Sequence, residues 1–537
     1  MSSVRPKECL RIPPSPPVGV FDVAGHHPRP RARRLRLLRR QPRHLDPDDA
    51  HRRDTRALHL LPRLRDQELA PGRSRARHRH GARQGPEAQG RLSLANLTWV
   101  TRDLSTIVKA YDVRGLAPGE LDADVARALG AAFARFAGSP TVVTARDMRE
   151  TGIELSTAFA DGVTSQGVDV IEVGLGSTDL LYYAAGTLDL PGAMFTASHN
   201  PARYNGIKLC LSGARPVGQD TGLREIREQA ELFLEHGIPA YDGPGGTVSS
   251  QDVLAGYAAF MKHLVPGIDG VRPLKVVVDA GNGMGGHTVP AVFAGLPLEL
   301  TELYFELDGS FPHHEANPID PANLVDLQAA VRRVGADIGL AFDGDADRCF
   351  VVDERGELVS PSVLTALIAA RELAKHPGAT IIHNLITSQT VPEVVAEHGG
   401  IAVRTRVGHS FIKAEMARTQ AVFGGEHSGH FYFAEFWNAD SGMLAALHCL
   451  AALGTQDGTL SALLVEYDRY AVSGEINSTV ADQDRKVAEI AAKYSDLEQD
   501  ELDGLTVRSG DGWWFNVRAS NTEPLLRLNV EAPDLLT

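Results

Sequence analysis

The stretch Asp337–Val352 reads DIGLAFDGDADRCFVV. Its apolar runs Ile338 to Phe342 and Cys349 to Val352 predict two strands, with Asp343-Gly344-Asp345-Ala346-Asp347-Arg348 as the tight loop between them. Outward from this point, strand and helix periods alternate. On the N-terminal side the pattern predicts strands at Val108 to Arg114, Thr141 to Ala145, Val168 to Val173, Gly192 to Thr196 and Leu274 to Val278. Helices are predicted at Leu121 to Phe136, Ile153 to Gln166, Asp179 to Thr187, Val289 to Phe293 and Leu324 to Val334. On the C-terminal side the alternation continues from Ser362 to Phe423. Strands interleaved with helices imply βαβ units, repeated here in three segments of similar length. After about Tyr467 a helix at Val487 to Lys493 precedes two strand-like runs, which predicts an α+β tail. The expected domains are 104–245, 246–355, 356–466 and 467–537.

Composition divides the chain of 537 residues differently. Its formal charge of -14 hides a first hundred residues with 22 Lys+Arg against 9 Asp+Glu, which leaves 32 against 59 for the remainder. This Arg-, Pro- and His-rich start has no apolar run that makes a core, so residues 1–103 read as a disordered basic extension. A nucleic-acid-binding arm, an organelle presequence and a solvated tail are alternatives. The favoured reading is a non-native upstream over-extension, with Val100 as an alternative start. Four cysteines without a C-x-x-C pair indicate neither a disulfide framework nor a thiolate zinc site. No apolar stretch is long enough to span a membrane. A soluble, cytoplasmic protein is expected, without a nucleic-acid or membrane partner.

Four loops carry chemistry. In 343–348, three carboxylates at alternate positions can face one hard cation, and Gly344 and Ala346 let the backbone curl. A calcium loop is the rival, since Glu354 is at its twelfth position. Arg348 at the sixth position and strands as flanks argue against it, and magnesium fits better. In Thr196-Ala197-Ser198-His199-Asn200-Pro201, Ser198 at a strand end is a candidate nucleophile, although no G-x-S-x-G elbow surrounds it. In Gly424-Gly425-Glu426-His427-Ser428-Gly429-His430, carboxylate, hydroxyl and imidazole suit vicinal sugar hydroxyls, with His430 or His409 able to move a proton. In Arg518-Ala519-Ser520-Asn521-Thr522-Glu523-Pro524, an arginine fork with hydroxyl and amide donors suits a phosphate. A fifth motif, Gly281-Asn282-Gly283-Met284-Gly285-Gly286, satisfies G-x-G-x-x-G and gives a dinucleotide-binding alternative. Asp279 and Ala280 intervene between its strand and the glycines.

Taken in order, these four loops resemble the α-D-phosphohexomutase superfamily, in particular its bacterial phosphomannomutase/phosphoglucomutase group. The resemblance runs from about Leu104 to Glu531. It implies a four-domain architecture, with three related α/β domains and a C-terminal α+β domain around a central cleft. It further implies that Ser198 is carried as phosphoserine, and that Asp343, Asp345 and Asp347 bind Mg2+ together with its phosphate. A hexose phosphate would then be isomerised through a hexose 1,6-bisphosphate. Tyr111 and Arg114 in Tyr111-Asp112-Val113-Arg114-Gly115, with Lys208, match positions beside the phosphoserine, and Arg348 can neutralise charge on the transferring group. Lys208, His409 or His430 would supply the base and acid. Glu426 and Ser428 match sugar contacts, and Arg518, Ser520, Asn521 and Thr522 match the site of the non-reacting phosphate. Mannose phosphates rank first as substrates, glucose phosphates second and glucosamine phosphates a distant third. The chain departs from the family in its first hundred residues and in lacking a lysine within His383-Asn384-Leu385-Ile386. It also stops at Thr537, where the family continues into a closing helix. A catalytically inactive sugar-phosphate binder remains the alternative on the same fold.

Overall fold

The computed structural model describes residues 102–519 and 525–535. The expectations for residues 1–101, and those for Ser520, Asn521 and Thr522, lie outside the described residues.

In the first domain, strands β1 (Val113–Leu116), β2 (Thr141–Arg146), β3 (Asp169–Leu175), β4 (Gly192–Phe195), β5 (Tyr204–Leu211), β6 (Arg215–Pro216) and β7 (Val248–Ser250) form one sheet ordered β1-β5-β4-β2-β3-β7, with β6 beside β5. β3, β2 and β4 are parallel, and β4 turns back antiparallel into β5. Helices α1 (Ala123–Ala137), α2 (Thr151–Thr164), α3 (Thr178–Leu188) and α4 (Leu223–His236) complete the domain. Asp122 starts α1 by accepting a hydrogen bond from the Val125 N–H, and left-handed Gly138 ends it. α1 and α2 touch backbone to backbone, because a Cβ on Gly130 would lie 2.2 Å from the Phe159 carbonyl oxygen. Phe133, Phe159 and Phe195 are fully buried in the layer between helices and sheet, each contributing on the order of 2 kcal/mol.

The second domain contains α5 (Leu254–Leu264), β8 (Leu274–Asp279), α6 (Gly285–Phe293), β9 (Leu298–Leu303), α7 (Val325–Val334), β10 (Ile338–Phe342), β11 (Cys349–Asp353) and β12 (Leu358–Val359), with sheet order β12-β11-β10-β8-β9. The third contains α8 (Pro361–Lys375), β13 (Thr380–Asn384), α9 (Thr390–Glu397), β14 (Ile401–Thr405), α10 (His409–Thr419), β15 (Phe423–Gly425), β16 (Phe431–Phe433), β17 (Ala439–Asp440) and α11 (Gly442–Gly454), with order β14-β13-β15-β16-β17. A short α12 (Leu460–Leu464) leads to the fourth domain, where β18 (Ala471–Thr479), α13 (Gln483–Lys493), β19 (Glu498–Asp500), β20 (Leu505–Arg508), β21 (Trp514–Ala519) and β22 (Leu525–Ala532) form an antiparallel sheet ordered β18-β22-β21-β20-β19.

The repetition has a chemical consequence. In each of the first three domains a parallel pair is followed by an antiparallel return: β4 into β5, β10 into β11, β15 into β16. The Ser198 loop, the three-aspartate loop and the Glu426 loop are these three returns.

Several elements differ from expectation. Leu104 to Val108 is a turn, with the Val108 N–H donating to the Leu104 carbonyl at 2.8 Å, and the strand begins only at Val113. Of the strand expected over Val108 to Arg114, Val108 and Val113 are both buried, but Val108 belongs to the turn and only Val113 and Arg114 belong to the strand. The fourth domain opens with a strand, β18, outside the expected elements: it is held by antiparallel pairing with β22, and its mostly exposed residues carry little apolar alternation. Helix α11 was not anticipated and is buried at every residue. Its sequence is apolar all round, which is the pattern of a helix enclosed by other elements. It belongs to a core that also includes residues of α3, α5 and α8, so the first three domains share one apolar centre.

Candidate active site

The three returns meet. Ser198 has φ 51°, a left-handed conformation that is unfavourable for a residue with a Cβ. Its Oγ donates to Asp343 Oδ2 at 2.7 Å. The Ser198 carbonyl faces the aspartate loop so closely that a Cβ on Gly344 would lie 2.5 Å from it. On the far side of Gly344, the Met284 N–H donates to the Gly344 carbonyl at 2.9 Å, and a Cβ on Gly283 would lie 2.9 Å from the Gly344 Cα. The glycine motif 281–286 is therefore occupied in supporting the aspartate loop, which corrects the dinucleotide reading.

Asp343, Asp345 and Asp347 are almost wholly buried, and one oxygen from each lies within 4.8 Å of the others. Arg348 caps Asp343 through Nε at 2.9 Å and Nη2 at 2.8 Å. Lys208 Nζ lies 2.6 Å from both Asp345 Oδ2 and Asp347 Oδ2. Thr178, at the start of α3, donates its hydroxyl to Asp345 at 2.5 Å. The outer oxygens, Oδ1 of Asp345 and of Asp347, are buried without a hydrogen-bond partner.

The loop 424–430 joins the aspartate loop through an antiparallel bridge between Arg348 and His430. His430 Nε2 lies 3.7 Å from Asp347 Oδ1, and its Nδ1 lies 2.9 Å from Ser428 Oγ. A cavity of about 290 Å³ opens here, lined by Tyr111, Arg114, Ser198, Lys208, Asp347 and His430 among others. Six residues singled out from five separate stretches of sequence thus converge. Matches to family profiles cover all four domains: phosphoglucomutase/phosphomannomutase alpha/beta/alpha domain I over residues 105–232, domain II over 257–356, domain III over 361–470 and the C-terminal domain over 475–535.

The chain belongs to the phosphoglucomutase/phosphomannomutase family.

It is a phosphohexomutase, an isomerase that relocates a phosphoryl group on a sugar. The mutase is similar to a phosphohexose mutase of Xanthomonas campestris, with 41% identity over 79% of this chain and 94% of the relative. It is also similar to a phosphomannomutase of Salmonella montevideo, with 40% identity over 80% of this chain and 95% of the relative. A solved phosphoglucomutase/phosphomannomutase family protein from Burkholderia thailandensis superposes with a TM-score of 0.73 at 34% identity, covering 80% of this chain and 94% of that one.

Charged groups of both signs surround Ser198 in the mutase. His199 Nδ1 is 3.3 Å from Ser198 Oγ, and the Arg348 charge, burial and Arg114 all hold this imidazole well below its ordinary pKa, so it stays neutral. Arg114 is aimed by Asn200 Oδ1 at 2.7 Å and Asp112 at 2.5 Å. Burial opposes the charge of Lys208, but Asp345 and Asp347 outweigh it and hold its pKa well above the ordinary value. Burial is also the largest influence on Asp343 and raises its pKa despite Arg348. Asp345 is buried too, but Lys208 and Thr178 hold its pKa low.

The remaining expected residues lie further out. Glu426 is 2% exposed, and its oxygens accept from the Gly408 N–H at 3.1 Å and the Tyr432 hydroxyl at 2.7 Å. In this arrangement it anchors the start of α10, the helix that begins at His409. Arg518, on β21, donates to Glu475 at 3.2 Å. It is near enough to the loop 424–430 to help lower the pKa of His427, behind the larger effect of burial. Sequence reading missed Thr178, Asn200 and His199 as partners. His199 and Asn200 adjoin Ser198 and were open to notice, whereas Thr178 has no local signal.

Proposed function

We propose that the mutase interconverts mannose 6-phosphate and mannose 1-phosphate, with glucose phosphates as further substrates, through phosphorylated Ser198 and a hexose 1,6-bisphosphate. The observation that carries this reading is Ser198 Oγ, held 2.7 Å from Asp343 at the mouth of a cavity lined by Arg114, Lys208 and His430. The relatives named phosphomannomutase favour mannose as substrate.

The three buried carboxylates, two of them with an unpartnered oxygen, suit a hard divalent cation. Asp343, Asp345 and Asp347 would hold Mg2+ beside Ser198, where it would offset charge on the phosphoryl oxygens. In the forward half-reaction the bond between phosphorus and Ser198 Oγ breaks, and a bond from phosphorus to the free sugar hydroxyl forms. The hydroxyl proton leaves to a base, and the Ser198 oxygen departs as an anion that is reprotonated once the bisphosphate has formed. Lys208 Nζ, 2.6 Å from both Asp345 and Asp347, is placed to stabilise charge, and His430, on the cavity wall, is placed to accept the proton. After the bisphosphate turns end for end, the other phosphoryl returns to Ser198. Arg348 and Arg114 stabilise charge at the transfer point. Arg518, with Ser520, Asn521 and Thr522, would bind the phosphate that does not react, so that its binding energy positions the reacting hydroxyl. Glu426 and Ser428 would meet sugar hydroxyls once the loop opens toward substrate.

The test is a Mg2+-dependent assay on mannose 1-phosphate, glucose 1-phosphate and glucosamine 1-phosphate with wild type and Ser198→Ala. Turnover of the first two, abolished by the substitution, is expected. Undiminished turnover by Ser198→Ala overturns the phosphoserine route, and glucosamine 1-phosphate as the best substrate overturns the substrate assignment.

A further inference from the structure

One buried arginine stands behind the Ser198 loop without touching the cavity. Arg149, between β2 and α2, is 1% exposed and is among the largest fully buried side chains of the described residues. Its guanidinium grips a single loop. Nη2 donates to the carbonyls of Ser198 at 2.8 Å and Asn200 at 2.6 Å, and Nη1 donates to those of Pro201 at 3.0 Å and Tyr204 at 2.9 Å. The remaining nitrogen, Nε, faces Asp147 Oδ2 at 3.3 Å. Asp147 is itself fixed: its Oδ1 accepts from the Arg149 N–H at 2.9 Å, and its own N–H donates to the Phe195 carbonyl at 2.9 Å. From the second domain, the Phe311 ring lies 5.0 Å from the Arg149 guanidinium carbon, and a Cβ on Gly309 would lie 2.8 Å from the Arg149 Cα.

This geometry solves a specific problem. Four carbonyls of the turn from Ser198 to Tyr204 converge on this one guanidinium, that of Ser198 through a fully buried bond and that of Pro201 while also accepting from the Tyr204 N–H at 3.0 Å, and the first residue of the turn is held at a positive φ. Left alone, the turn would relax by rotating the Ser198 peptide, which would swing Oγ away from Asp343. A planar guanidinium reaches all four oxygens at once through its two Nη atoms and keeps Nε in ion-pair contact with Asp147, without a hydrogen bond between them. A lysine has three donors on a single point and cannot span them.

We propose that Arg149, held by Asp147, is a positioning residue that locks the Ser198 loop so that Oγ faces the aspartate loop. The inference rests on the reading of Ser198 as the phosphoryl carrier.

The experiment compares wild type, Arg149→Lys and Asp147→Asn, each first shown to be folded by circular dichroism. Two quantities are measured. The first is steady-state kcat and KM on mannose 1-phosphate, with single-turnover phosphorylation of Ser198 by glucose 1,6-bisphosphate. The second is amide hydrogen exchange of the peptide spanning 196–205 against peptides from α1 and α2. Arg149→Lys is expected to lower kcat and the phosphorylation rate by about 100-fold, to leave KM within about twofold of wild type, and to speed exchange at 196–205 at least tenfold, while α1 and α2 keep their protection. Asp147→Asn is expected to act in the same direction with about a tenfold effect. If Arg149→Lys does not fold, Asp147→Asn decides. Rates within threefold of wild type and unchanged loop exchange in a folded variant overturn the proposal. So does an activity loss matched by equal loss of protection in α1 and α2, since that is merely structural. If wild type itself takes no phosphoryl group on Ser198, the proposed function fails, and the exchange data still decide whether Arg149 locks the loop.

Discussion

Gly344→Ala probes the contact between the serine loop and the aspartate loop. The new Cβ would lie 2.5 Å from the Ser198 carbonyl oxygen, about 0.9 Å short of the 3.4 Å at which ordinary contact begins. The carbonyl cannot retreat cheaply, because Arg149 Nη2 bonds it at 2.8 Å. The aspartate loop cannot retreat either, because the Met284 N–H bonds the Gly344 carbonyl at 2.9 Å from behind. The two loops must therefore separate by most of an ångström, which moves Ser198 Oγ and Asp343 apart. A misplacement of that size costs roughly 100-fold in rate, about 2.7 kcal/mol of transition-state stabilisation, and over-packing destabilises the fold by roughly 1–3 kcal/mol. The assay is kcat/KM on mannose 1-phosphate with saturating Mg2+, alongside thermal unfolding. Gly138→Ala is the control. It is left-handed at φ 60° with no atom within 4 Å of its added Cβ, so it should cost about 1 kcal/mol of stability and leave kcat unchanged. A Gly344→Ala enzyme with kcat/KM within threefold of wild type refutes the claim that these backbones fix the catalytic geometry.

Two further outcomes follow from charge. Lys208→Met leaves Asp345 and Asp347 buried without their cation, so the metal-free protein should lose about 3 kcal/mol. Added Mg2+ should raise the melting temperature of the variant more than that of wild type; equal shifts would show that the aspartates do not share a cation site. Burial lowers the pKa of His383 from its ordinary 6.5 to about 4. The folded state thus holds this imidazole neutral, and the stability from doing so is present above about pH 6.5 and is lost as pH falls toward 4, on the order of 3 kcal/mol in all. His383→Asn should therefore flatten the fall in melting temperature between pH 7 and pH 5; an unchanged fall assigns the acid sensitivity to other groups.

Much of the site was readable because its chemistry is local in sequence. Three aspartates at alternate positions, a serine before His-Asn-Pro, and a glutamate, serine and histidine on a glycine-rich turn each declare a function by residue type and spacing. Alternation of strand and helix periods was enough for α/β domains, since side-chain periodicity is a property of the local chain. Helix α11 has no local signal because an all-apolar helix has no face to announce, and the strand expected from Val108 starts only at Val113 because a buried residue in a turn imitates strand spacing. The roles of Gly283 and Gly344 were not readable at all: they are small because another segment's backbone passes within contact distance, and sequence does not record which segment that is.

The residues by themselves determined the repeated α/β order, the four loops in their sequence, and the family they resemble, all of which depend on identity and spacing along the chain. Tertiary structure alone decided that the loops of three domains are equivalent strand returns meeting at Ser198. It also decided that Lys208 is bound to two aspartates, that Glu426 anchors α10, and that Arg149 grips the serine loop from beneath. Each of those facts joins groups far apart in sequence, such as Ser198 with Asp343 or Lys208 with Asp345, and such contacts arise only when separate layers pack and desolvate the same small volume.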